Sequence, residues 1–288
     1  MHTRTWLGGV LVAVLASAAI AAPKDAPKAQ PAKKDAKHGA KKDAKKAKLD
    51  LAPLAAQLAS ANAEEAVKAA ETLGSEADPA AHDALLDALA FGLPGAVAVP
   101  AIQALAKHPA PPDVPALRRY ANHRNPAVRS SVLGTLALYP DPAAHALVIA
   151  GMHDPVGIVR AAACSAAAAG RVRESVDTLF QLLARGEEPA ARALAQLADA
   201  DLARKIGDQL GKVPDASLSL ALGTLLKRAD FGPDAARVEV VRALAKISDA
   251  SATAALTDYI DATPKNPPRE SRQEAEKIVT ARLGGGAK

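Results

Sequence analysis

A short unit recurs along the middle of this chain, and its spacing constrains the fold more than any other sequence feature. The unit is a polar residue and a proline followed by an arginine, and its clearest copies are Asn125-Pro126 with Arg129, Asp154-Pro155 with Arg160, and Glu188-Pro189 with Arg192. The arginines lie 31 and 32 residues apart. A fixed period of roughly 20 to 50 residues is typical of stacked repeats, which usually bind partners and seldom catalyse.

Apolar residues recur at helical spacing from Leu49 to Leu283, with breaks at proline, glycine and aspartate. No strand-like alternation of useful length occurs in the chain. Aromatic residues make up only 2% of it, so the core must be built from Ala, Leu and Val, which suits close helix packing. The sequence therefore predicts an all-α fold of about seven helix pairs over residues 49–283, with a flexible tail at 284–288.

Polar-proline pairs predict where the helices begin. Asn or Asp accepts hydrogen bonds from free helix amides, and a proline at the first helical position has no amide to leave unpaired. We therefore expect helices to begin at Asn125-Pro126 and at Asp154-Pro155. In the first two pairs, Gly95 and Pro100 make the repeat pattern weaker, but a helix is still expected from Gly95 to Lys107.

The first 21 residues predict an export signal. His2 and Arg4 form a short polar start, residues 6–20 are uncharged and mostly apolar, and small residues precede a cleavage site after Ala21. Cleavage would place the protein in the periplasm or outside the cell, whereas an uncleaved segment would serve as an anchor. Both outcomes remain open at this point.

Residues 22–48 are rich in lysine, alanine and proline and predict a disordered linker. Residues 23–48 contain ten lysines and three aspartates, a net charge of +7, whereas residues 49–288 carry −3. The linker either spaces the folded body or tethers it to an anionic envelope surface. The lysines that would form this electrostatic tether are Lys33, Lys34, Lys41, Lys42, Lys45 and Lys46.

The chain lacks the sequence motifs of hydrolases, zinc proteases and nucleotide-binding loops. The single cysteine, Cys164, lies among alanines, which predicts a small buried residue rather than a reactive thiol. His145 and His153 are too far apart in sequence for a usual zinc pair, and the histidines of the body are interpreted as surface or helix-end residues. We therefore expect no catalytic residues, no cofactor and no metal.

The helix pairs of about 31 residues, whose second helix begins with Asp/Asn-Pro-x-Val-Arg, resemble HEAT repeats. The resemblance is carried best by residues 125–133 and 154–163, and Pro233 to Ala245 also looks like a second helix. It implies a curved solenoid with a concave face lined by the second helices. It also implies a structural ladder between neighbouring units, formed by Asn125, Arg129, Asp154, Arg160 and Arg192.

These features favour a non-enzymatic, monomeric, exported scaffold that binds a protein partner of unknown identity on its concave face. Two alternatives remain: binding of an anionic surface through residues 23–48, and an accessory or lyase-like HEAT protein with an unrecognised site. Nucleic acid is not an expected partner, because the basic residues are not interleaved with aromatics. A local patch for an anionic or acidic partner is predicted around one turn, at Arg118, Arg119, His123 and Arg124.

Overall fold

The computed structural model describes residues 50–284 and contains, within that range, fifteen α-helices, one 3-10 turn (Arg173–Ser175) and no strand. The helices are α1 (Leu51–Leu58), α2 (Ala63–Ser75), α3 (Pro79–Phe91), α4 (Gly95–Leu105), α5 (Asp113–Tyr120), α6 (Pro126–Leu136), α7 (Pro142–Gly151), α8 (Gly157–Ala169), α9 (Val176–Ala184), α10 (Glu188–Leu197), α11 (Ala200–Gly207), α12 (Asp215–Leu226), α13 (Asp234–Ala245), α14 (Ala250–Ala262) and α15 (Glu270–Gly284). The predicted all-α class is confirmed.

Several sequence predictions concern residues outside the described range. These are the export signal, the lysine-rich linker with its six tether lysines, and the last four residues of the predicted tail. Within residues 50–284, no helix is both long enough and apolar enough to cross a bilayer.

Asp and Asn side chains begin many of the helices. At α6, Asn125 Oδ1 accepts a hydrogen bond from Ala127 N at 2.9 Å, and Pro126 follows the cap directly. The same type of bond is made by the caps of six other helices, Asp50, Asn62, Asp78, Asp141, Asp199 and Asp249. These bonds satisfy amides that have no partner inside the helix, which explains where the helices begin.

The start predicted at Asp154-Pro155 is wrong. Helix α8 begins at Gly157, and its cap is Val156, which has no side-chain acceptor. Asp154 instead closes the turn by accepting a hydrogen bond from Val156 N at 2.8 Å. Because the turn contains two extra residues before the helix, the proline-to-arginine offset is longer in this copy than in the copy at Asn125.

Pro100 does not interrupt its helix. Helix α4 runs from Gly95 to Leu105 with Pro100 inside it. Pro100 is half-buried, and neighbouring residues such as Ala101 and Ile102 are fully buried. Packing of the apolar face therefore outweighs the loss of one backbone hydrogen bond in this helix.

The helices alternate between two layers. The second helices of the pairs, α2, α4, α6, α8, α10, α12 and α14, pack side by side in chain order. The first helices form the other layer, where α1, α3, α5 and α7 follow one another and α11 packs on α13. Helix α15 packs against both α13 and α14 and ends the stack.

Small residues let the second helices approach one another closely. A Cβ on Gly74 of α2 would lie 2.7 Å from Ala104 Cα of α4, and one on Gly223 of α12 would lie 2.8 Å from Ala255 Cβ of α14. The core between the layers is mostly leucine, alanine and valine, as the low aromatic content predicts. Close backbone approach of this kind fixes the spacing of the second-helix layer.

Candidate functional site

Arg129 of α6 connects its own unit to the next one. Its Nε and Nη2 atoms donate to the two carboxylate oxygens of Asp154 at 2.7 and 2.9 Å, and its Nη1 donates to the carbonyl of His123 at 2.8 Å. The side chains of Arg129 and Asp154 are only 12% and 11% exposed. The hydrogen bond from Arg129 is the main cause that lowers the pKa of Asp154, so this pair is charged at neutral pH.

Arg160 of α8 repeats this geometry one unit further along the chain. Its Nε lies 2.8 and 3.0 Å from the two carboxylate oxygens of Glu187, and its Nη1 donates to the carbonyl of Asp154 at 3.0 Å. Together, the Arg129–Asp154 and Arg160–Glu187 pairs form the arginine ladder. Glu187 belongs to this ladder although the sequence analysis did not single it out.

The ladder ends at α10. Arg192 pairs with Glu188 of its own helix at 3.2 Å, and both side chains are more than half exposed. The residues just before α12 are Val213 and Pro214, which offer no carboxylate. Of the five predicted ladder residues, Arg129, Asp154 and Arg160 make contacts between units, Asn125 caps its helix, and Arg192 makes only its local pair.

A buried polar cluster connects the α3–α4 unit to the α5–α6 unit. Asp113 is fully buried, and its carboxylate lies 2.6 Å from His82 Nε2 and accepts hydrogen bonds from Tyr139 Oη at 2.5 Å and Ala110 N at 3.0 Å. The prediction that the histidines lie at the surface or at helix ends is therefore wrong for His82. The 31-residue separation of His82 and Asp113 equals the repeat period, and that was the signal available in the sequence.

The predicted anionic-partner patch lies where α5 turns into α6. Arg118 and Arg119 occupy the last turn of α5, Arg124 follows in the connection, and all three side chains are exposed. None of the three forms a salt bridge with any residue in the range 50–284. The structure thus places three arginines without a carboxylate partner at one turn.

His123, the fourth residue of this patch, is held in place by its neighbours. Its ring stacks on Tyr120 with the centroids 6.1 Å apart, and its Nδ1 accepts a hydrogen bond from Asn125 N at 3.0 Å. His123 is half-buried, so it supports the turn more than it presents a charge to solvent.

A larger surface is formed by the exposed positions of the second helices, which we call the second-helix face. In α6 and the turn that follows it, the exposed positions run at helical spacing from Ala127 to Leu138, and in α8 they run from Ile158 to Ala169. No exposed position of α4, α6 or α8 carries a charge, and Leu138 and Ile158 are 49% and 66% exposed. The middle of the face is therefore uncharged, built from small residues, and carries two exposed large apolar side chains.

The ends of the second-helix face are charged. Helix α2 exposes Glu64, Glu65, Lys68 and Glu71 at one end. At the other end, α10, α12 and α14 line a groove of about 440 Å³. The groove floor contains Gly223 and Ser219, and its rim carries the Lys227–Asp258 pair at 3.3 Å. Ser219 is almost completely buried, and its Oγ has no hydrogen-bond partner within residues 50–284.

The described residues offer little for chemistry. Cys164 is buried, and desolvation raises the pKa of its thiol to about 12. Among residues 50–284, no group of three or more His, Cys, Asp or Glu side chains is placed to hold a metal ion. A cavity of about 290 Å³ lies between α2, α3 and α4 beside His82, and apolar residues such as Leu73 and Leu85 form much of its lining.

Stacked helix pairs in two layers define an α-solenoid. The family model for HEAT repeats matches residues 92–168, from the turn before α4 into α8. The matched segment thus consists of HEAT repeats, and helix pairs of the same architecture continue on both sides of it.

Several solved structures align with this chain at low sequence identity. The complex of CpcE and CpcF of phycocyanin lyase from Nostoc sp. PCC7120 aligns over 81% of this chain and 94% of that chain, at 19% identity and a TM-score of 0.45. Human deoxyhypusine hydroxylase aligns over 81% and 96%, at 16% identity and a TM-score of 0.38. The karyopherin Kap121p, bound to the extreme C-terminus of the protein phosphatase Cdc14p, aligns over 81% of this chain but only 30% of its own, at 16% identity and a TM-score of 0.44. No curated protein matches the chain in sequence.

Proposed function

We propose that the protein is a non-enzymatic scaffold that binds a protein partner on its second-helix face. The observation that carries the proposal is the uncharged middle of that face, where Leu138 and Ile158 stand exposed among small residues. Exposed apolar patches on a rigid support are typical of interaction sites, because their burial removes apolar surface from water at little cost in conformational entropy.

The spacing of the two layers supports a concave second-helix face. The second helices pack against one another along the whole row, whereas in the other layer α9 packs mainly on α10 of its own unit. A stack whose members lie closer together in one layer curves toward that layer. A partner segment lying along the inside of such a curve would contact several units at once.

We propose further that the protein works outside the cytoplasm. The uncharged stretch at residues 6–20 and the small residues before Ala22 support export. The lysine-rich segment at residues 23–48 would then hold the body near an anionic envelope surface or space the body from it. If the segment is a tether, changing its six tether lysines to glutamine would abolish binding to anionic vesicles. Whether the segment is a tether or a spacer, this change would leave capture of the protein partner unchanged.

Catalysis is not part of this proposal. An accessory or lyase-like activity would need a site, and the cavity beside His82 is the place where a buried acid and a histidine meet. Asp113 already accepts hydrogen bonds there from Tyr139 and Ala110, and together with His82 these contacts join the α3–α4 and α5–α6 units. This arrangement supports a structural role for the cluster.

The proposal is tested by placing charges in the middle of the face. The Leu138→Glu and Ile158→Glu double variant adds two carboxylates to a surface that has none, and a partner that buries this surface would have to desolvate them. We expect binding to weaken by at least about tenfold, measured by crosslinking pull-down of the full chain from the envelope fraction.

Leu210→Glu is the matched control, because Leu210 is 37% exposed but follows α11, away from the second-helix face. A partner recovered by the wild type and by Leu210→Glu but not by the double variant supports the proposal. Equal recovery by all three proteins would place the binding site elsewhere and contradict it.

A further inference from the structure

Phe91, at the edge of the stack where α3 turns into α4, is an exposed aromatic side chain. It is the last residue of α3 and is 91% exposed, the highest value among the exposed large hydrophobic residues within 50–284. Tyr120 of α5 holds this turn in place, since its Oη donates to Leu89 O and accepts from Leu93 N, both at 2.9 Å. Phe91 is thus presented by a fixed backbone and lacks any cover from this chain within the described range.

The α5–α6 turn, which carries Arg118, Arg119 and Arg124, lies directly beside Phe91. Arg119 Nη1 donates to Ala90 O at 2.6 Å, and Arg119 Nη2 lies 3.7 Å from the position that a Cβ on Gly92 would take. Gly95, where α4 begins, likewise lies against His123, with 3.5 Å between that Cβ position and the ring. The α3–α4 turn and the α5–α6 turn therefore form one continuous edge.

This edge lies in a basic segment of the chain that follows an acidic one. Residues 50–87 contain eight acidic residues and one lysine, whereas residues 88–140 contain five Lys or Arg and a single acid. That acid, Asp113, is buried and hydrogen-bonded in the polar cluster. Arg118, Arg119 and Arg124 are therefore not neutralised by their own unit.

We propose that Phe91, Arg118, Arg119 and Arg124 form a docking surface for an acidic peptide segment of a partner protein, one that carries an apolar side chain among its carboxylates. Arginine binds carboxylates through paired hydrogen bonds, and an aromatic anchor beside such pairs is typical of interface hot spots. Because both turns are already held in place, little conformational entropy is lost on docking. This surface is separate from the second-helix face and does not depend on binding there.

A protein segment fits this edge better than other polyanions do. Binding of single-stranded nucleic acid relies on several aromatic side chains for base stacking, whereas Phe91 is the single exposed aromatic at this edge and Tyr120 is buried. Stable attachment to a membrane surface needs an extended apolar face, and the edge offers one apolar side chain. Charge complementarity together with one anchor matches an acidic peptide.

The test is fluorescence anisotropy of the full chain with a labelled short peptide of glutamates around one leucine. Arg124→Glu should weaken binding by about tenfold, and the Arg118→Glu, Arg124→Glu double variant should weaken it further. Phe91→Ser should weaken it by about fivefold, and replacing the leucine of the peptide by serine should have the same effect. Arg119 is left unchanged, because it also holds Ala90.

Arg185→Glu is the matched control, since Arg185 is an exposed arginine without a salt bridge in the described part of the chain, at the α9–α10 turn. It changes the net charge as much as Arg124→Glu does and should change the affinity less than about twofold. Equal losses in both variants would show non-specific charge attraction and overturn the proposal. Undiminished binding by the double variant would assign the interaction to the lysine-rich segment.

Two further outcomes would also overturn the proposal. If the peptide with serine in place of leucine binds as tightly as the original peptide, Phe91 does not act as an apolar anchor. Binding to phosphatidylglycerol vesicles that exceeds peptide binding and depends on Arg124 would make the edge a lipid-binding surface. Circular dichroism melting of each variant shows whether it is folded, and substitutions at these exposed positions should leave the melting curve in place.

Discussion

At the scale of single residues, arginine side chains join the units in two ways. Arg129 and Arg160 hold a carboxylate at the start of the following unit. Arg228, Arg237 and Arg282 instead donate to backbone carbonyls at the ends of α10, α12 and α13, where the helix dipole favours a positive charge. Arginines engaged in this way are fixed parts of the fold, and Arg119 is held in the same way by Ala90 O, in contrast to Arg118 and Arg124.

Asp154→Ala should be among the more destabilising surface-accessible changes. It removes both carboxylate contacts of Arg129 and the acceptor of Val156 N, and leaves a half-buried guanidinium without a partner. We expect a loss of about 3 kcal/mol in the free energy of unfolding, measured by urea denaturation. Asp201→Ala, which removes an exposed pair with Arg204, should leave stability almost unchanged.

This contribution depends on pH. The folded-state pKa of Asp154 is lowered, chiefly by the hydrogen bond from Arg129. The stabilisation is therefore fully present above the unfolded carboxyl pKa of about 3.9 and is lost as the pH falls through the lower folded value. The stability difference between wild type and Asp154→Ala should shrink below about pH 4. A difference that stays constant into strong acid would contradict the assigned ion pair.

Tyr139→Phe probes the buried cluster around Asp113. Burial, and then the hydrogen bond to Asp113, raises the pKa of Tyr139 well above its usual value. The stabilisation is therefore complete below the unfolded tyrosine pKa of about 10 and is lost as the pH rises beyond it. The variant should lose about 2 kcal/mol at neutral pH and show a weaker alkaline destabilisation than wild type in urea titrations. If wild type and Tyr139→Phe lost the same amount of stability at alkaline pH, the assigned role of the Tyr139 hydroxyl would be contradicted.

The sequence predicts contacts of single residues where these are local or follow the repeat, as at Arg129 and Asp154. The cap at Asn125 follows from residue type and an adjacent proline, and it lies where predicted. The Tyr139–Asp113 bond depends on how the helices pack, and neither residue belongs to a recognisable motif. The prediction for Arg192 extended the ladder by one unit too many. A further pair would need a carboxylate just before α12, and the residues there offer none.

At the scale of helices, close packing in the second-helix layer depends on small residues at particular positions. Gly74 of α2 lies against the backbone of Ala104 in α4, whereas Gly134 of α6 faces open space. Both glycines lie inside helices, so they differ mainly in what a side chain would meet. Comparing substitutions at the two positions therefore separates the effect of packing on stability from the effect of intrinsic helix propensity.

Gly74→Ala and Gly134→Ala should therefore have opposite effects. The added methyl group at position 74 would sit 2.7 Å from Ala104 Cα and push α2 away from α4, at a cost of about 2 kcal/mol. The methyl group at position 134 meets no atom within 4 Å and should stabilise α6 by about 1 kcal/mol. Thermal melting of the two variants gives the measurement, and a shift in the same direction for both would contradict the packing described.

Helix positions could be predicted well because their signals are local, namely apolar spacing, polar caps and proline. The error falls where an inserted turn decides the outcome. The helix predicted from Gly95 through Pro100 is present as α4, because its apolar face is buried, whereas α8 begins two residues late because Asp154 is used as a turn-closing acceptor and ladder acid. The late start of α8 cannot be deduced from the segment alone.

At the scale of the whole described stack, residues 50–284 combine an uncharged central face with a basic edge and an acidic first part. The second-helix face offers a long surface with exposed Leu138 and Ile158, and the edge offers Phe91 beside three arginines that form no salt bridge within residues 50–284. The repeat period predicted the stack and its default binding face. The exposure of Leu138, Ile158 and Phe91 needed the structure, because each lies in an ordinary apolar helical pattern in the sequence.

The most direct measurement of the central claim is site-specific photo-crosslinking in cells. A photoreactive residue in place of exposed Ser165 on α8 would report on the second-helix face, and one in place of Leu210 would report on a surface outside it. The account predicts a discrete protein adduct from position 165 and none of that size from position 210. Adducts from position 210 alone, or none from position 165, would show that the second-helix face is not the binding surface.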